Sequence, residues 1–162
     1  MSSLPPDTRL LLIDDHQIYL DGLSLTLGSL CEGVRLDHAR NAAEALQLVR
    51  EYPYDLILLD LQLPDSSGLS LMQKLRAADA MVPIAILSAS NSPSDLEAAL
   101  QLGAAGFISK TTDGKTLLDA VTQLLYGAQV VIGDTALKID RQTSAREVGI
   151  TPRQLVILDL LA

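Results

Sequence analysis

DLILLDLQLPDSSG, Asp55–Gly68, holds a strand, a turn and the start of a helix in a single run. A short apolar run ends in the aspartate at position 60, a turn follows at Pro64–Gly68, and Leu69, Met72 and Leu75 then recur at helical spacing. Working outward, the same order of strand, turn and helix repeats on both sides. LLLIDD (Leu10–Asp15) leads into Leu20, Leu23, Leu27 and Leu30, which predict a helix from about Gln17 to Leu30. IAILS (Ile84–Ser88) is followed by Ser92-Pro93, a cap with proline at the first helical position, and then by Leu96, Ala99 and Leu100. GFISK (Gly106–Lys110) precedes a helix from about Asp113 to Tyr126 that presents Leu117, Val121, Leu124 and Leu125. VRLDHA (Val34–Ala39) interleaves polar side chains, as an edge strand does. After it, Asn41 and Glu44 open a helix whose buried stripe is Ala42, Ala45, Leu46 and Val49.

Strand starts near 9, 34, 55, 84 and 106 lie 25, 21, 29 and 22 residues apart. Each interval has room for one crossover helix, so the pattern is that of consecutive βα units. Five units predict an α/β fold: a doubly wound, five-stranded parallel sheet of the flavodoxin-like order 2-1-3-4-5, with helices on both faces. In such a sheet, ligands bind outside the carboxyl ends of the strands. Asp14, Asp15, Asp60, Ser88 and Lys110 all sit at or just beyond such ends, so they should converge on one crevice. Any one of them alone has an ordinary explanation: a helix cap, a strand-end hydroxyl, a solvated lysine. Three clustered carboxylates, however, repel one another and need a cation. Hard oxygen ligands without a His or Cys cluster suit Mg²⁺. Asp60 is the natural acceptor of a phosphoryl group.

Composition narrows the classes. The 162 residues suffice for one domain and a modest extension, and a net charge of −8 argues against nucleic-acid binding by this chain. The single cysteine, Cys31, has no second thiol and reads as a buried structural residue. His16 and His38 have no triad partner at a recognisable spacing and are assigned no chemistry. Met1–Arg9 lacks the features of a secretory signal, and no apolar run is long enough to span a membrane, so the expectation is a cytoplasmic protein. There is no P-loop, dinucleotide fingerprint or nucleophile elbow.

Together the acid pair, DLQLPDSSG, Ser88 in ILSAS and Lys110 in GFISK resemble a response-regulator receiver domain, over roughly Arg9–Tyr126. The resemblance implies that Asp60 receives a phosphoryl group from a histidine kinase. It also implies that Asp15, Asp60 and the backbone carbonyl of Gln62 coordinate Mg²⁺ directly, with Asp14 acting largely through water. Ser88 and Lys110 would bind the phosphoryl group, and Phe107 would turn inward on activation. Ser88 stands where threonine is commoner in the family, which keeps the hydroxyl. Such a module catalyses only its own phosphorylation and dephosphorylation. Haloacid-dehalogenase-type phosphohydrolases use similar groups, but their nucleophile follows the first strand in a DxD arrangement, whereas here position 62 is Gln. A pseudo-receiver that only mediates protein contacts would usually lose the acids or the lysine.

GITPRQLVILDLLA (Gly149–Ala162) resembles the opening of a LuxR-type helix-turn-helix domain of NarL/FixJ-class regulators. Thr151, Pro152 and Gln154 read as a helix start. The division expected is a receiver over 1–127, a linker over 128–150, and the first helix of a truncated helix-turn-helix domain over 151–162. The parent protein would bind DNA and this chain would not. Its final helix, apolar on nearly every side, would favour a homodimer.

Overall fold

A computed structural model describes residues 7–30, 33–79, 81–89, 92–132 and 155–158. The first five strands are β1 (Arg9–Ile13), β2 (Arg35–Ala39), β3 (Leu56–Asp60), β4 (Ile84–Ser88) and β5 (Gly106–Ser109). The helices between and after them are α1 (Gln17–Leu30), α2 (Ala42–Glu51), α3 (Gly68–Ala78), α4 (Pro93–Gln101) and α5 (Gly114–Leu125). Two further strands follow, β6 (Gln129–Ile132) and β7 (Leu155–Leu158). All neighbours are parallel, in the order β2-β1-β3-β4-β5-β6-β7.

Alternation along β1 divides the core. Leu11 and Ile13 face the layer built from α2, α3 and α4, with Ala45, Leu71, Leu75 and Leu96. Leu10 and Leu12 face α1 and α5, with Leu20, Leu27, Leu117 and Val121. Successive strand side chains point to opposite faces, and here both faces are covered, so the central strands are apolar throughout. β3 and β4 are buried at every position.

Local signals set the helix starts. Asn41 accepts from the Glu44 amide at 2.8 Å, while Glu44 Oε1 reaches back to the Arg40 amide at 2.9 Å, which secures the start of α2. Ser67 accepts from the Ser70 amide at the start of α3, and Ser92 caps α4 just before Pro93. Gly68 admits no side chain: a Cβ there would lie 2.4 Å from Leu61 Cα and 2.8 Å from the Asp60 carbonyl oxygen. The turn after β3 is therefore drawn tight against the strand end.

The five-stranded core has the expected order, but the sheet continues beyond it. Gln129–Ile132, placed by the sequence in a linker, is the strand β6, paired with β5 in the register Phe107↔Val131. The outer edge of β5 would otherwise present unpaired backbone groups, and Val130 and Val131 suit a pleated, buried position. Leu155–Leu158, expected in a helix, is the strand β7 alongside β6. An unbroken apolar run of this length has no periodicity to separate helix from strand, and Val156 and Ile157 are β-branched. The remainder of the expected linker, 133–150, the helix start at 151–154, residues 159–162 and Cys31 lie outside the described residues. No helix among the described residues is long and apolar enough to cross a membrane.

Candidate functional site

The carboxyl ends of β1, β3, β4 and β5 meet at one rim. Asp14 follows β1 directly, and its amide donates to the Ala39 carbonyl of β2 at 3.0 Å. Asp60 is the last residue of β3 and pairs in register with Leu87, so Ser88 stands one position further along β4. Lys110 follows β5, its amide held by the Ser88 carbonyl at 2.9 Å. The strands thus bring together residues up to 96 positions apart, Asp14 and Lys110, without any loop having to reach.

The side chains converge as the backbone implies. The Lys110 ammonium lies 2.6 Å from Asp14 Oδ2 and 3.1 Å from Asp60 Oδ2. Asp14, Asp60 and Ser88 are buried, whereas Asp15 is exposed at the mouth. The Gln62 amide donates to Asp60 Oδ1 at 3.1 Å, which keeps the turn close to that carboxylate. Tyr19 of α1 places its ring 4.9 Å from the Lys110 nitrogen. Phe107 is fully buried in the middle of β5. Ligand atoms of Asp14, Asp15, His16 and Asp60 all lie within 4.8 Å of one another.

Residues 10–122 match the family model of the response regulator receiver domain. The chain belongs to that family. Among curated relatives, the receiver is 33% identical over 169 residues to the nitrate/nitrite response regulator protein NarL of Escherichia coli, a match spanning 100% of this chain and 78% of that one. It is 31% identical to the transcriptional activator protein ExaE of Pseudomonas putida, over 94% of this chain and 75% of that protein. Among solved structures, a LuxR-family two-component response regulator from Aurantimonas superposes with a TM-score of 0.72 at 27% identity, covering 87% of this chain and 94% of that chain. The receiver domain of the NarL regulator from Mycobacterium tuberculosis superposes with a TM-score of 0.68 at 29% identity, covering 76% and 99%.

Electrostatics within the receiver's pocket separate its two buried acids. Burial pushes both carboxyls up. At Asp14, bonds from Lys110 and from the amide and imidazole of His16 outweigh burial and hold the group below its ordinary value. At Asp60, burial and the nearby charge of Asp14 prevail over the Gln62 and Lys110 bonds, and the group titrates above its ordinary value. Tyr19 is pushed up to about 12, by burial first and then by the charges of Asp14 and Asp60.

Two contributors carry no recognisable sequence signal. His16 Nδ1 approaches Asp14 Oδ1 at 2.7 Å, Asp15 Oδ1 at 3.2 Å and Asp60 Oδ2 at 3.6 Å. Its place next to the acid pair was the only hint, because a side-chain direction cannot be read from adjacency. Asp65, in the turn after β3, accepts from the Ala42 and Ala43 amides at 2.8 and 3.2 Å and so ties that turn to the start of α2. His38 lies away from the pocket, with Nε2 2.6 Å from Ser24 Oγ.

Proposed function

We propose that Asp60 is the phosphoacceptor of a two-component response regulator and that the phosphohistidine of a sensor kinase is its donor. The P–N bond of the donor breaks, a P–O bond forms to the Asp60 carboxylate, and the released imidazole takes a proton from solvent. What carries this reading is the burial of Asp60 at the end of β3, with the Lys110 ammonium shared between its carboxylate and that of Asp14. Lys110, 3.1 Å from Asp60 Oδ2, is placed to pair with a phosphoryl oxygen. Ser88 would donate its hydroxyl to another.

Three carboxylates are hard donors that fit a divalent ion, and two of them, Asp14 and Asp60, already flank a cation, the Lys110 ammonium. Asp14, Asp15 and Asp60, with the Gln62 carbonyl, would hold Mg²⁺, which when bound offsets charge on the incoming phosphoryl group. Phosphorylation would draw Ser88 toward the phosphate and let Phe107 shift into the vacated space, altering the face formed by α4, β5 and α5. These contacts exist only in the phosphorylated state, so they can shift the equilibrium. That change would govern a transcriptional output domain, with the module working in the cytoplasm and not itself holding DNA. Separately from this switch, residues 151–162 would contribute to a homodimer, β7 within them standing at the edge of the sheet, and deleting that segment should reduce any dimer seen by sedimentation while leaving phosphorylation intact.

Intact-mass analysis with acetyl phosphate and Mg²⁺ tests the central claim. One phosphoryl group should add to the wild type and none to Asp60→Asn. A phosphoryl group mapped to Ser88, or undiminished uptake in EDTA, would overturn it.

A further inference from the structure

Among the described residues whose ligand atoms cluster in the pocket, His16 is the one that offers nitrogen in place of a carboxylate oxygen. Its amide donates to Asp14 Oδ1 at 2.9 Å, a short turn that folds the residue back toward the acids it follows. The ring is more than half exposed, yet Nδ1 points inward. In an octahedral site with bonds of about 2.1 Å, neighbouring ligand atoms stand roughly 3 Å apart. Nδ1 lies 2.7, 3.2 and 3.6 Å from one oxygen each of Asp14, Asp15 and Asp60, which brackets that spacing. The Lys110 ammonium, a cation supplied by the chain itself, borders this set, 3.3 Å from Nδ1, 2.6 Å from Asp14 Oδ2 and 3.1 Å from Asp60 Oδ2.

We propose that His16 is an additional metal ligand, giving the pocket three carboxylates and one imidazole and a preference for a borderline transition ion such as Co²⁺ over Mg²⁺. This rests on the reading of the pocket as a divalent-ion site and goes further by naming the ion class. Imidazole adds little for Mg²⁺, a hard ion that keeps oxygen ligands and water, whereas affinity for mixed nitrogen and oxygen sites rises along the transition series. Ligation through Nδ1 requires the neutral ring and gives up its bond to Asp14 Oδ1, but that oxygen keeps the His16 amide. His16 also precedes the first residue of α1, and its carbonyl accepts from the Leu20 amide, so asparagine there suits the helix start.

The test is calorimetric titration of the full, untagged chain with Co²⁺ and with Mg²⁺, with the visible absorption of bound Co²⁺ as a second readout. The chain has two histidines, so His38→Gln controls for adventitious binding. Wild type and His38→Gln should bind Co²⁺ more tightly than Mg²⁺. His16→Asn should lose on the order of tenfold in Co²⁺ affinity, with a shifted Co²⁺ spectrum and little change in Mg²⁺ affinity. Unchanged Co²⁺ affinity and spectrum in His16→Asn, with Mg²⁺ still bound, would overturn the role of His16 and leave the Mg²⁺ reading intact. Failure of the wild type to bind either ion would overturn both.

Discussion

The two ends of the sheet use the same kinds of groups to opposite ends. At the amino end, Arg9 Nε pairs with Asp37 Oδ2 at 2.9 Å, and the Tyr54 hydroxyl donates to the same oxygen at 2.7 Å. The guanidinium also stacks 3.9 Å from the Tyr52 ring centre. Each charge there has a partner, since Arg35 also stands near Asp37 and the Asp55 carboxylate accepts from the Arg9 amide at 2.8 Å. At the carboxyl rim, one ammonium faces Asp14 and Asp60, with Asp15 and His16 at the mouth. The first arrangement is closed and neutral, and the second keeps an excess of negative charge around the buried Asp60 carboxylate. On the function proposed above, the rim has to stay electrostatically incomplete to receive a cation and a phosphoryl group, whereas a structural clamp does not.

That contrast is broken most directly at Asp37. Burial pushes its carboxyl up, but the Tyr54 and Arg9 bonds prevail and hold it below the ordinary carboxylate range. Asp37→Asn should destabilise the fold at neutral pH by about 1–3 kcal/mol, measured by urea unfolding, and leave phosphoryl uptake unchanged. Because the folded-state pKa is lowered, this contribution is complete above the unfolded value and disappears as pH falls through the folded one. The gap between wild type and variant should therefore close in acid.

The same chemical change at the rim should act in the other direction. The folded-state pKa of Asp60 is raised, so its charged form opposes folding at neutral pH, and that penalty vanishes as pH falls below the ordinary carboxylate range. Asp60→Asn, unfolded in EDTA, should be more stable than the wild type by about 0.5–2 kcal/mol while losing all phosphoryl uptake. Equal destabilisation by the two substitutions would erase the distinction between the ends. The smallest effect is expected at the aromatic contacts. Tyr52→Leu should cost about 0.5–1 kcal/mol in thermal unfolding and spare uptake. Tyr19→Leu, which frees the flank of Lys110, should slow uptake from acetyl phosphate.

Most of the rim was legible in the sequence because strand-end residues inherit their direction from the backbone. Once five apolar runs are placed side by side, Asp14, Asp60, Ser88 and Lys110 have nowhere else to go. Residues displaced from the strand ends were not legible. The inward turn of His16 depends on one amide bond to Asp14 Oδ1, and the reach of Asp65 to α2 depends on how tightly Gly68 closes the turn. The extra strands escaped for another reason. Gln129–Ile132 precedes a sequence stretch of weak periodicity, and Leu155–Leu158 is an apolar run without alternation, so neither reads as a βα unit in the sequence, and it is pairing along the sheet edge that makes strands of them.

The order of strands also has a consequence for how the protein is made. Every group named in the pocket lies at or before Lys110, at or just beyond the ends of β1, β3, β4 and β5 or on α1, whereas β6 and β7 only extend the sheet outward from β5. Chains fold from the amino end as they leave the ribosome. The pocket's strands therefore emerge before β6 and β7, and these later segments meet a template already waiting for them.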